Sequence, residues 1–265
     1  MEDKKLVLQA SDVSIMFGGL CAVNGFSCEL YQGELVGLIG PNGAGKTTMF
    51  NMISGIYTPT SGEINFWDKN NRVHMINNAS PAKLNKMGIA RTFQNIRLFG
   101  NLSVMDNVKI ALHGSRVANP LDVLFRTPRF QKDELLMTDK VMHLLQLFKI
   151  EHKKDELAKN LPYGEQRELE IVRALASKPK LLLLDEPAAG MNPQETHELM
   201  EMIAFIRKEF DVTILLIEHD MKLVMGICEK ILVLDYGRVI ASGKPEEIRA
   251  NPQVIKAYLG GEVNL

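Results

Sequence analysis

The residues from 40 to 48 have the composition and spacing of a loop that binds phosphate. They are Gly40, Pro41, Asn42, Gly43, Ala44, Gly45, Lys46, Thr47 and Thr48, and they contain the pattern G-x-x-x-x-G-K-[ST]. Glycines let the chain curl so that several backbone N–H groups point at one set of phosphate oxygens. In this pattern the lysine contacts the β- and γ-phosphates, and the hydroxyl of Thr47 is a ligand of Mg²⁺. The sequence therefore predicts that the chain binds a nucleoside triphosphate with magnesium.

A strand and a helix must flank this loop if it is to hold phosphate, and the sequence predicts both. Residues 34–39 form a short apolar run that is typical of a buried strand, and Met49 to Ser54 match the first turns of a helix that Gly55 closes. The N-terminus of that helix adds the positive end of its dipole to the loop. The alternative, a glycine-rich turn with a solvated lysine, does not account for the eight matching positions in this context.

Two adjacent acids form the second candidate site. Asp185 and Glu186 follow the apolar run Leu181 to Leu184, which predicts a strand that is buried on both faces. Ligands of open α/β folds collect at the carboxyl ends of such strands. There Asp185 can hold Mg²⁺, and Glu186 can polarise a water for in-line attack on the γ-phosphate. The alternative is a strand end with two solvated acids, which is the weaker interpretation beside a phosphate-binding loop.

Strands that alternate with helices predict a largely parallel sheet around these two sites. Before the loop, residues 6–37 alternate in hydrophobicity and carry turn residues, which is typical of antiparallel strands. Residues 101–160 contain Leu, Met, Lys and Glu at helical spacing and predict a helical subdomain, which a Pro-containing segment at 120–128 interrupts. Further predicted strands are 63–66, 212–217 and 231–235, and further predicted helices begin after the N-cap Ser80 and span 193–210, 245–250 and 252–259.

Composition and charge limit the classes of function. The chain has 265 residues, of which 46% are hydrophobic and 24% charged, and its net charge of −1 gives no electrostatic reason to expect a nucleic-acid partner. Its three cysteines, Cys21, Cys28 and Cys228, form no pattern, which favours a reducing compartment and small core residues. No apolar run reaches the length of a membrane span, and the mixed charge of residues 1–5 differs from a secretory signal. We therefore expect a cytoplasmic protein that reaches any membrane process through a partner.

The motifs and their order resemble those of ABC-type ATPases over nearly the whole chain. The resemblance implies an α/β fold of the P-loop NTPase class, with an antiparallel β subdomain and a helical subdomain in an ABC-type nucleotide-binding domain. It assigns residues 1–95 and 160–265 to the ATP-binding core, including the N-terminal β subdomain and the closing C-terminal helices. Residues 96–159 would form the helical subdomain that leads into the signature motif. The implied activity is ATP hydrolysis, and the implied cofactors are ATP and Mg²⁺.

Three further residues take their roles from this resemblance. Phe17 matches the aromatic residue that stacks on adenine, although a core aromatic is an equal alternative. Gln94 matches the Q-loop glutamine, which contacts the metal and senses the transmembrane partner. His219 matches the switch histidine, which contacts the γ-phosphate and would act in catalysis with Glu186 and Lys46. Outside this order of motifs, a glutamine in a polar loop or a histidine at a strand end would carry no such meaning.

The signature motif departs from the usual family pattern. It spans residues 161–166 and includes Pro162, Tyr163, Gly164 and Glu165. Pro162 replaces a serine and has no N–H to donate, and Glu165 replaces a glutamine and places an acid near the phosphate. We therefore expect a usable but weaker contact through the Gly164 amide and the helix dipole. A simple helix start stays an alternative for Tyr163 and Glu165.

The D-loop also departs from the pattern, because Asn192 stands where the family usually has aspartate. Asn192 and Glu195 are equally the start of a helix, with the asparagine as N-cap and the glutamate as the reciprocal capping acid. We expect this structural role whether or not Asn192 also communicates between sites.

One phosphate-binding loop and one signature imply that the chain works as half of a pair. In ABC ATPases the loop of one subunit and the signature of another enclose each ATP, so a homo- or heterodimer has two composite sites. Hydrolysis then weakens the bridge that the γ-phosphate makes between the subunits. The implied partners are a second ABC ATPase subunit, two transmembrane permease subunits and, indirectly, a solute-binding protein. The chain would then be peripheral on the inner face of the cell membrane.

Several segments resemble one branch of the family, the ATPases of branched-chain amino-acid importers. They are 17–23, 91–99, 188–193 and 216–221, together with the signature tyrosine and the insertion at 117–130. No residue of the chain is expected to touch an amino acid, so the transported solute follows from the resemblance alone. The region 94–160 is the expected docking face for a permease, although most of its apolar residues would form the core of the subdomain.

Three other functions stay open. The chain also resembles lipopolysaccharide-export ATPases, including at Ala257 to Gly260, although that family usually keeps a more standard signature and a D-loop aspartate. A soluble ABC protein that acts on ribosomes or in DNA repair would commonly carry two cassettes or a coiled-coil insertion, and the sequence shows neither. A regulatory nucleotide binder with little ATPase activity is the third alternative, because the signature is altered.

Overall fold

The computed structural model of the chain describes residues 5–113 and 127–259. It divides into two compact units, the first made of residues 1–94 and 180–265 and the second of residues 95–179. The division expected from the sequence differs at two places, because it assigned Asn95 and residues 160–179 to the ATP-binding core. Most of the insertion at 117–130 and Gly260 of the C-terminal segment lie outside the described residues.

The described residues form ten strands and nine α-helices. The strands are β1 (Leu6–Phe17), β2 (Leu20–Tyr31), β3 (Leu35–Ile39), β4 (Ser61–Trp67), β5 (Val73–Met75), β6 (Ile89–Arg91), β7 (Leu181–Asp185), β8 (Thr213–Ile217), β9 (Lys230–Asp235) and β10 (Arg238–Gly243). The helices are α1 (Lys46–Ile53), α2 (Pro81–Met87), α3 (Val104–His113), α4 (Pro128–Leu147), α5 (Tyr163–Ala176), α6 (Pro193–Phe210), α7 (Met221–Ile227), α8 (Pro245–Arg249) and α9 (Pro252–Leu259). Two short 3₁₀ turns, Glu151–Lys153 and Ala158–Asn160, precede α5.

The central sheet of the first unit has six strands in the order β10-β9-β3-β8-β7-β6. Adjacent strands pair in parallel along the series β9, β3, β8, β7 and β6. At one edge of the sheet, β10 pairs antiparallel with β9. Every residue of β3, β7 and β8 is buried, which explains why these strands are nearly continuous apolar runs. The phosphate-binding loop, the two acids and His219 all follow the carboxyl ends of these three strands and so lie at one edge of the sheet.

The second sheet of the first unit is antiparallel, which confirms the prediction of antiparallel strands before the loop. Its four strands lie in the order β2-β1-β4-β5. Phe26 and Phe66 of this sheet belong to the same buried cluster as Phe50 of α1 and Leu183 of β7. One hydrophobic core therefore joins both sheets to the helix that follows the phosphate-binding loop.

The second unit is helical, as predicted for the described part of residues 101–160. Its buried cluster includes Val104 and Val108 from α3, Val141 and Leu145 from α4, and Leu169, Val172 and Ala176 from α5. The three α5 residues of this cluster recur at intervals of three and four, so they lie on one face of the helix. This packing explains why residues 160–179 belong to the helical unit. Within the described ranges, no helix combines the length and the apolar composition that crossing a bilayer requires.

Most predicted elements agree with the structure to within a few residues. The strand predicted at 63–66 is β4, the helix predicted at 193–210 is α6, and Ser80 caps α2 by accepting a hydrogen bond from the Lys83 amide at 3.4 Å. The sequence analysis did not identify β5, β6, β10 or α7. The first two have three residues each and lie at sheet edges, so they contain too few positions for a periodicity to be seen.

The cysteines are free thiols in the first unit. Cys28 and Cys228 are buried, and burial raises the pKa of each thiol to about 12. Neither is therefore a reactive thiolate at neutral pH, in agreement with the expectation of core residues. Cys21 is half-buried and lies beside the cleft described below.

Candidate nucleotide-binding site

The loop at 40–48 connects β3 to α1, and close backbone contacts require two of its glycines. Gly40 has a φ of +150°, and a Cβ there would lie 2.0 Å from the carbonyl oxygen of Leu234. Gly45 has a φ of +102°, and a Cβ there would lie 2.6 Å from the carbonyl oxygen of Ala22. A side chain at either position would collide with backbone, so only glycine permits this path. The path delivers the chain into the N-terminus of α1, and helix N-termini are where phosphate groups bind.

Lys46 is the first residue of α1 and is only 5% exposed. Its Nζ donates hydrogen bonds to the carbonyl oxygens of Gly40 at 2.7 Å and Pro41 at 2.9 Å. Burial lowers the pKa of Lys46, and the nearby Glu186 carboxylate partly opposes that shift. The ammonium group is thus held against the loop itself, where it can meet an anionic ligand of the loop.

Asp185 ends β7 and is held by a buried arginine that the sequence analysis did not identify. Arg91 Nη2 donates to Asp185 Oδ2 at 2.7 Å, and the two side chains are 7% and 6% exposed. Arg91 Nη1 donates to Asn51 Oδ1 at 2.7 Å and to Ser54 Oγ at 2.8 Å. One guanidinium therefore ties the carboxylate at the end of β7 to the C-terminal end of α1.

Glu186 lies at the centre of a connected set of polar side chains. Its Oε2 accepts a hydrogen bond from Gln94 Nε2 at 2.6 Å, and its Oε1 lies 2.8 Å from His219 Nε2. Its backbone is left-handed, with a φ of +46°, and its N–H donates to the carbonyl oxygen of Ile217 at 2.9 Å. Such a conformation costs about 1–3 kcal/mol and persists only where the surroundings fix it. The structure thus brings together three residues that were predicted from separate parts of the sequence.

Glu218 is a second residue that the sequence analysis did not identify. It is 4% exposed, and its Oε1 accepts a hydrogen bond from the Ala188 amide at 2.7 Å. Its Oε2 accepts from the His219 amide at 3.0 Å and, more weakly, from the Asp220 amide at 3.5 Å. Burial raises the pKa of Glu218, these amides oppose the shift, and the charge of Glu186 adds to it. Glu218 therefore links the segment after the two acids to the segment that carries the histidine.

A cleft of about 470 Å³ in the first unit brings Glu186 and His219 to the loop, whereas Gln94 and Asp185 do not line it. Its lining consists of Phe17, Leu20, Cys21, Ala22, residues 42–48, Glu186, His219 and Tyr236. Phe17 is 43% exposed, and its ring packs edge-on against Tyr57 with 5.2 Å between the ring centroids. This exposure is not that of a core aromatic, and a ring at the wall of a cleft suits stacking on a purine.

The signature residues lie in the second unit at the start of α5. Pro162 is the N-cap of that helix and provides no side-chain cap, and Tyr163 is 44% exposed. Lys153 Nζ donates to both carboxylate oxygens of Glu165, at 2.6 and 2.5 Å, and this bond raises the pKa of Lys153. The acid in the signature is therefore paired with a cation of its own unit, which the sequence analysis did not anticipate.

Asn192 is the N-cap of α6, as predicted. Its Oδ1 accepts hydrogen bonds from the amides of Gln194 at 2.9 Å and Glu195 at 3.0 Å. The Glu195 carboxylate accepts from the Asn192 amide at 2.8 Å, which completes a reciprocal capping box. The residue that departs from the D-loop pattern thus has a structural function.

Comparison with known proteins identifies the family. The family described as ABC transporter matches residues 23–189, which are more than half of the chain. The chain belongs to the ABC transporter family. A second family, described as branched-chain amino acid ATP-binding cassette transporter, matches residues 238–264. ATP-binding subunits of ABC transporters hydrolyse ATP to drive transport, so this chain is an ATPase.

Individual relatives cover almost the whole chain. It is 45% identical over 254 residues to the high-affinity branched-chain amino acid transport ATP-binding protein LivG of Escherichia coli K12, covering 96% of this chain and 98% of that protein. It is 44% identical, with the same coverage, to the high-affinity branched-chain amino acid transport ATP-binding protein BraF of Pseudomonas aeruginosa. It matches the crystal structure of the ADP conformation of MJ1267, an ATP-binding cassette of an ABC transporter, at 30% identity with a TM-score of 0.81, covering 96% and 99% of the two chains. The predicted ABC-type fold is confirmed.

The residues of this ABC ATPase fit a magnesium ion bound together with a nucleotide. Thr47 has an exposed hydroxyl in the first turn of α1, and Asp185 is a carboxylate at the carboxyl end of β7. These are hard oxygen donors, and magnesium is usually held by one or two carboxylates together with substrate phosphates and water. Among the described residues, no group of three or more His, Cys, Asp or Glu side chains could hold a metal without such help.

Proposed function

We propose that the chain is the ATP-hydrolysing subunit of an importer and powers the uptake of branched-chain amino acids through partner permeases. The named relatives, at 45% and 44% identity over nearly full length, support this solute class. The match of residues 238–264 to a branched-chain amino acid cassette family supports it independently of the shared ATPase core. The chain would lie in the cytoplasm, on the inner face of the membrane, where it contacts the permeases.

The contact of Glu186 with both Gln94 and His219 is the observation that carries the catalytic part of the proposal. Glu186 would polarise the attacking water, because its carboxylate lies in the same cleft as the phosphate-binding loop. His219 and Lys46 would stabilise the charge that develops on the transferring phosphoryl group. Gln94 would hold the Glu186 carboxylate in place and report the position of the permease.

The remaining cleft residues would hold the substrate. Phe17 would stack on the adenine ring, and the loop residues from Gly40 to Thr48 would surround the phosphates. Thr47, Asp185 and Gln94 would hold magnesium, which would neutralise part of the negative charge of the nucleotide.

A second ATPase subunit, either another copy or a related chain, would complete each site. Its signature, which in this chain includes Pro162, Tyr163, Gly164 and Glu165, would contact the γ-phosphate. Pro162 offers no side-chain cap, so the contact would depend on backbone amides and on the dipole of α5. Asn192 would lie near the same seam, in addition to capping α6.

The permeases would dock on the second unit. Several of its large apolar side chains are exposed in the described residues: Phe99 at 50%, Ile110 at 40%, Leu135 at 66% and Leu136 at 44%. These side chains do not belong to the buried cluster of the unit, so they are the candidates for contacts with permease helices. A solute-binding protein would act through the permeases without touching this chain.

The alternative functions have less support. The named relatives favour import of branched-chain amino acids over lipopolysaccharide export. The pairing of Glu165 with Lys153 weakens the case for a regulatory binder, because the altered signature does not carry an uncompensated negative charge.

Replacement of Glu186 by glutamine tests the catalytic assignment. E186Q should retain ATP binding and lose turnover by about 10³-fold, because glutamine cannot accept the proton of the attacking water. With its natural partners the variant should accumulate as an ATP-bound dimer, which size-exclusion chromatography would detect. ATPase activity that is undiminished in E186Q would remove Glu186 from this role.

Isolation of the natural complex tests the transport assignment. The tagged protein would be purified from its native membrane in mild detergent, and the co-purifying proteins would be identified by mass spectrometry. Two permeases and a second ATPase should appear, and the complex in liposomes with its solute receptor should take up leucine or valine on addition of ATP. Recovery of lipid-handling subunits instead would favour the export function.

A further inference from the structure

Arg91 is a buried cation beside the cleft, and none of the roles proposed above uses it. We propose that Arg91 is a positioning residue for the metal-binding carboxylate. It holds Oδ2 of Asp185 so that Oδ1 is directed to the metal, and it makes this geometry depend on the segment that carries Gln94. The inference rests on the proposed function, because it takes Asp185 as a magnesium ligand.

The guanidinium of Arg91 donates hydrogen bonds to three side chains. It donates from Nη2 to Asp185 and from Nη1 to Asn51 and Ser54, all within 2.7–2.8 Å. Asn51 lies on α1, the helix that begins with Lys46 and carries the predicted ligand Thr47. A single rigid group therefore fixes the acid relative to the helix that carries Thr47, another of the proposed ligands. Lysine would place a point charge there and could not reproduce the planar fork.

The burial of Arg91 has an energetic cost. Arg91 Nε is buried, and within the described part of the chain it has no hydrogen-bond partner; the same is true of Oγ1 of the adjacent Thr92. Buried polar atoms without partners destabilise a fold, and a buried ion pair adds little stability over an apolar pair of similar volume. Stability alone therefore does not account for Arg91, whereas the orientation of Asp185 does.

Arg91 lies close to Gln94 in the chain. Gln94 is three residues further on and is the last residue before the second unit begins at Asn95. Within the segment 91–94, one end contacts Asp185 and the other end contacts Glu186. A displacement of this segment would therefore move the metal ligand and the catalytic acid together.

The test compares nucleotide affinity with and without metal. Binding of fluorescent N-methylanthraniloyl-ATP to the full-length chain would be titrated in EDTA and in excess Mg²⁺ for wild type, R91M, R91K and D185N. In EDTA, R91M should bind the nucleotide with an affinity within about twofold of wild type. The increase in affinity on addition of Mg²⁺ should be about tenfold smaller in R91M than in wild type, as expected for a residue that orients a metal ligand. R91K should show an intermediate loss. The matched control is R207M, which breaks the pair between Arg207 of α6 and Glu229, and its metal-dependent gain should equal that of wild type.

The double variant R91M/D185N shows whether Arg91 acts through Asp185. Its metal-dependent gain should be no smaller than that of D185N alone. If Mg²⁺ increases the nucleotide affinity of R91M and R91K as much as that of wild type, the inference is overturned, whether or not their Tm is lower. The magnesium role of Asp185 would then stay intact. If R91M does not fold, R91K decides by the same criterion. A wild-type gain in D185N would instead contradict the proposed magnesium ligand itself.

Discussion

The cleft of the first unit and the signature helix of the second unit bind polar groups in different ways. In the cleft, the side chains expected to act on ATP contact one another: Glu186 bonds with Gln94 and His219. At the signature, the charged side chain is bound within its own unit, because Glu165 pairs with Lys153. The side chains that we propose act in catalysis are thus already in contact within one chain, whereas the signature would offer a partner mainly backbone amides and a helix dipole.

This difference explains how the chain can carry an unusual signature. A contact made by backbone amides at a helix N-terminus depends on the helix start and little on the side chains around it. The substitution of a serine by Pro162 removes one hydroxyl, and the substitution of a glutamine by Glu165 is offset by Lys153. The catalytic cluster has less tolerance, because Glu186 bonds directly to the side chains of Gln94 and His219 and a substitution of any of the three removes a contact.

After replacement of Glu186, the largest effect should come from removing His219. H219A should lower kcat by about 10²-fold, because Glu186 loses a partner and the phosphoryl group loses a hydrogen-bond donor. Steady-state ATPase assays and nucleotide titrations would separate this loss from a loss of binding. The matched control is H197A, since His197 is 66% exposed on α6 and pairs at 3.6 Å with an exposed Glu201. Equal ATPase activity of H219A and H197A would contradict the claim that the contacts around Glu186 are needed for hydrolysis.

A smaller effect should come from removing the cation that offsets the signature acid. K153M should lower ATPase activity of the assembled dimer by about threefold to fivefold, because the charge of Glu165 would then repel the γ-phosphate. K153M/E165Q should recover wild-type activity, since glutamine removes the charge together with its partner. Loss of activity in the double variant equal to that in K153M would show that Lys153 acts through something other than Glu165.

The sequence predicted the parts of the site that depend on local spacing. The loop at 40–48, the acids after β7 and the capping box at Asn192 each lie within a few consecutive residues, so the pattern and the geometry coincide. The meeting of Gln94, Glu186 and His219 joins three distant segments, and only the order of family motifs indicated it. The left-handed backbone of Glu186 has no signal in the sequence, because this conformation is fixed by the surrounding structure.

Arg91 and Glu218 could not be predicted for a related reason. Each is a charged residue at or directly after the end of a strand, where a solvated side chain is the usual outcome. Arg91 finds its partner 94 positions away, and Glu218 bonds to an amide 30 positions away. Their burial follows from the packing of the sheet edge, which one sequence without a fold does not specify.

Asn192 should affect stability more than chemistry. N192A should lower the free energy of unfolding of the chain by about 1 kcal/mol, because two amides at the start of α6 lose their acceptor. N192D should keep that stability, since aspartate caps helices as well as asparagine does. Chemical denaturation of both variants measures the difference. If N192D loses as much stability as N192A, the hydrogen bonds seen at this cap are not what stabilises the helix start.

The smallest effect concerns the pH dependence that Glu218 adds to stability. Burial raises the pKa of Glu218 above its unfolded value of 4.5, so between these two pKa values the folded chain binds more protons than the unfolded chain. The stability of wild type should therefore fall relative to that of E218Q as the pH rises above 4.5, and level off above the folded pKa. The difference in stability should change by less than about 1.4 kcal/mol per pH unit, which is the value for one full proton. The reason is that three backbone amides favour the carboxylate and so oppose the rise in its pKa. Urea unfolding of both proteins at several pH values would measure this change, and a difference that rises with pH would show that the amides, not burial, dominate at Glu218.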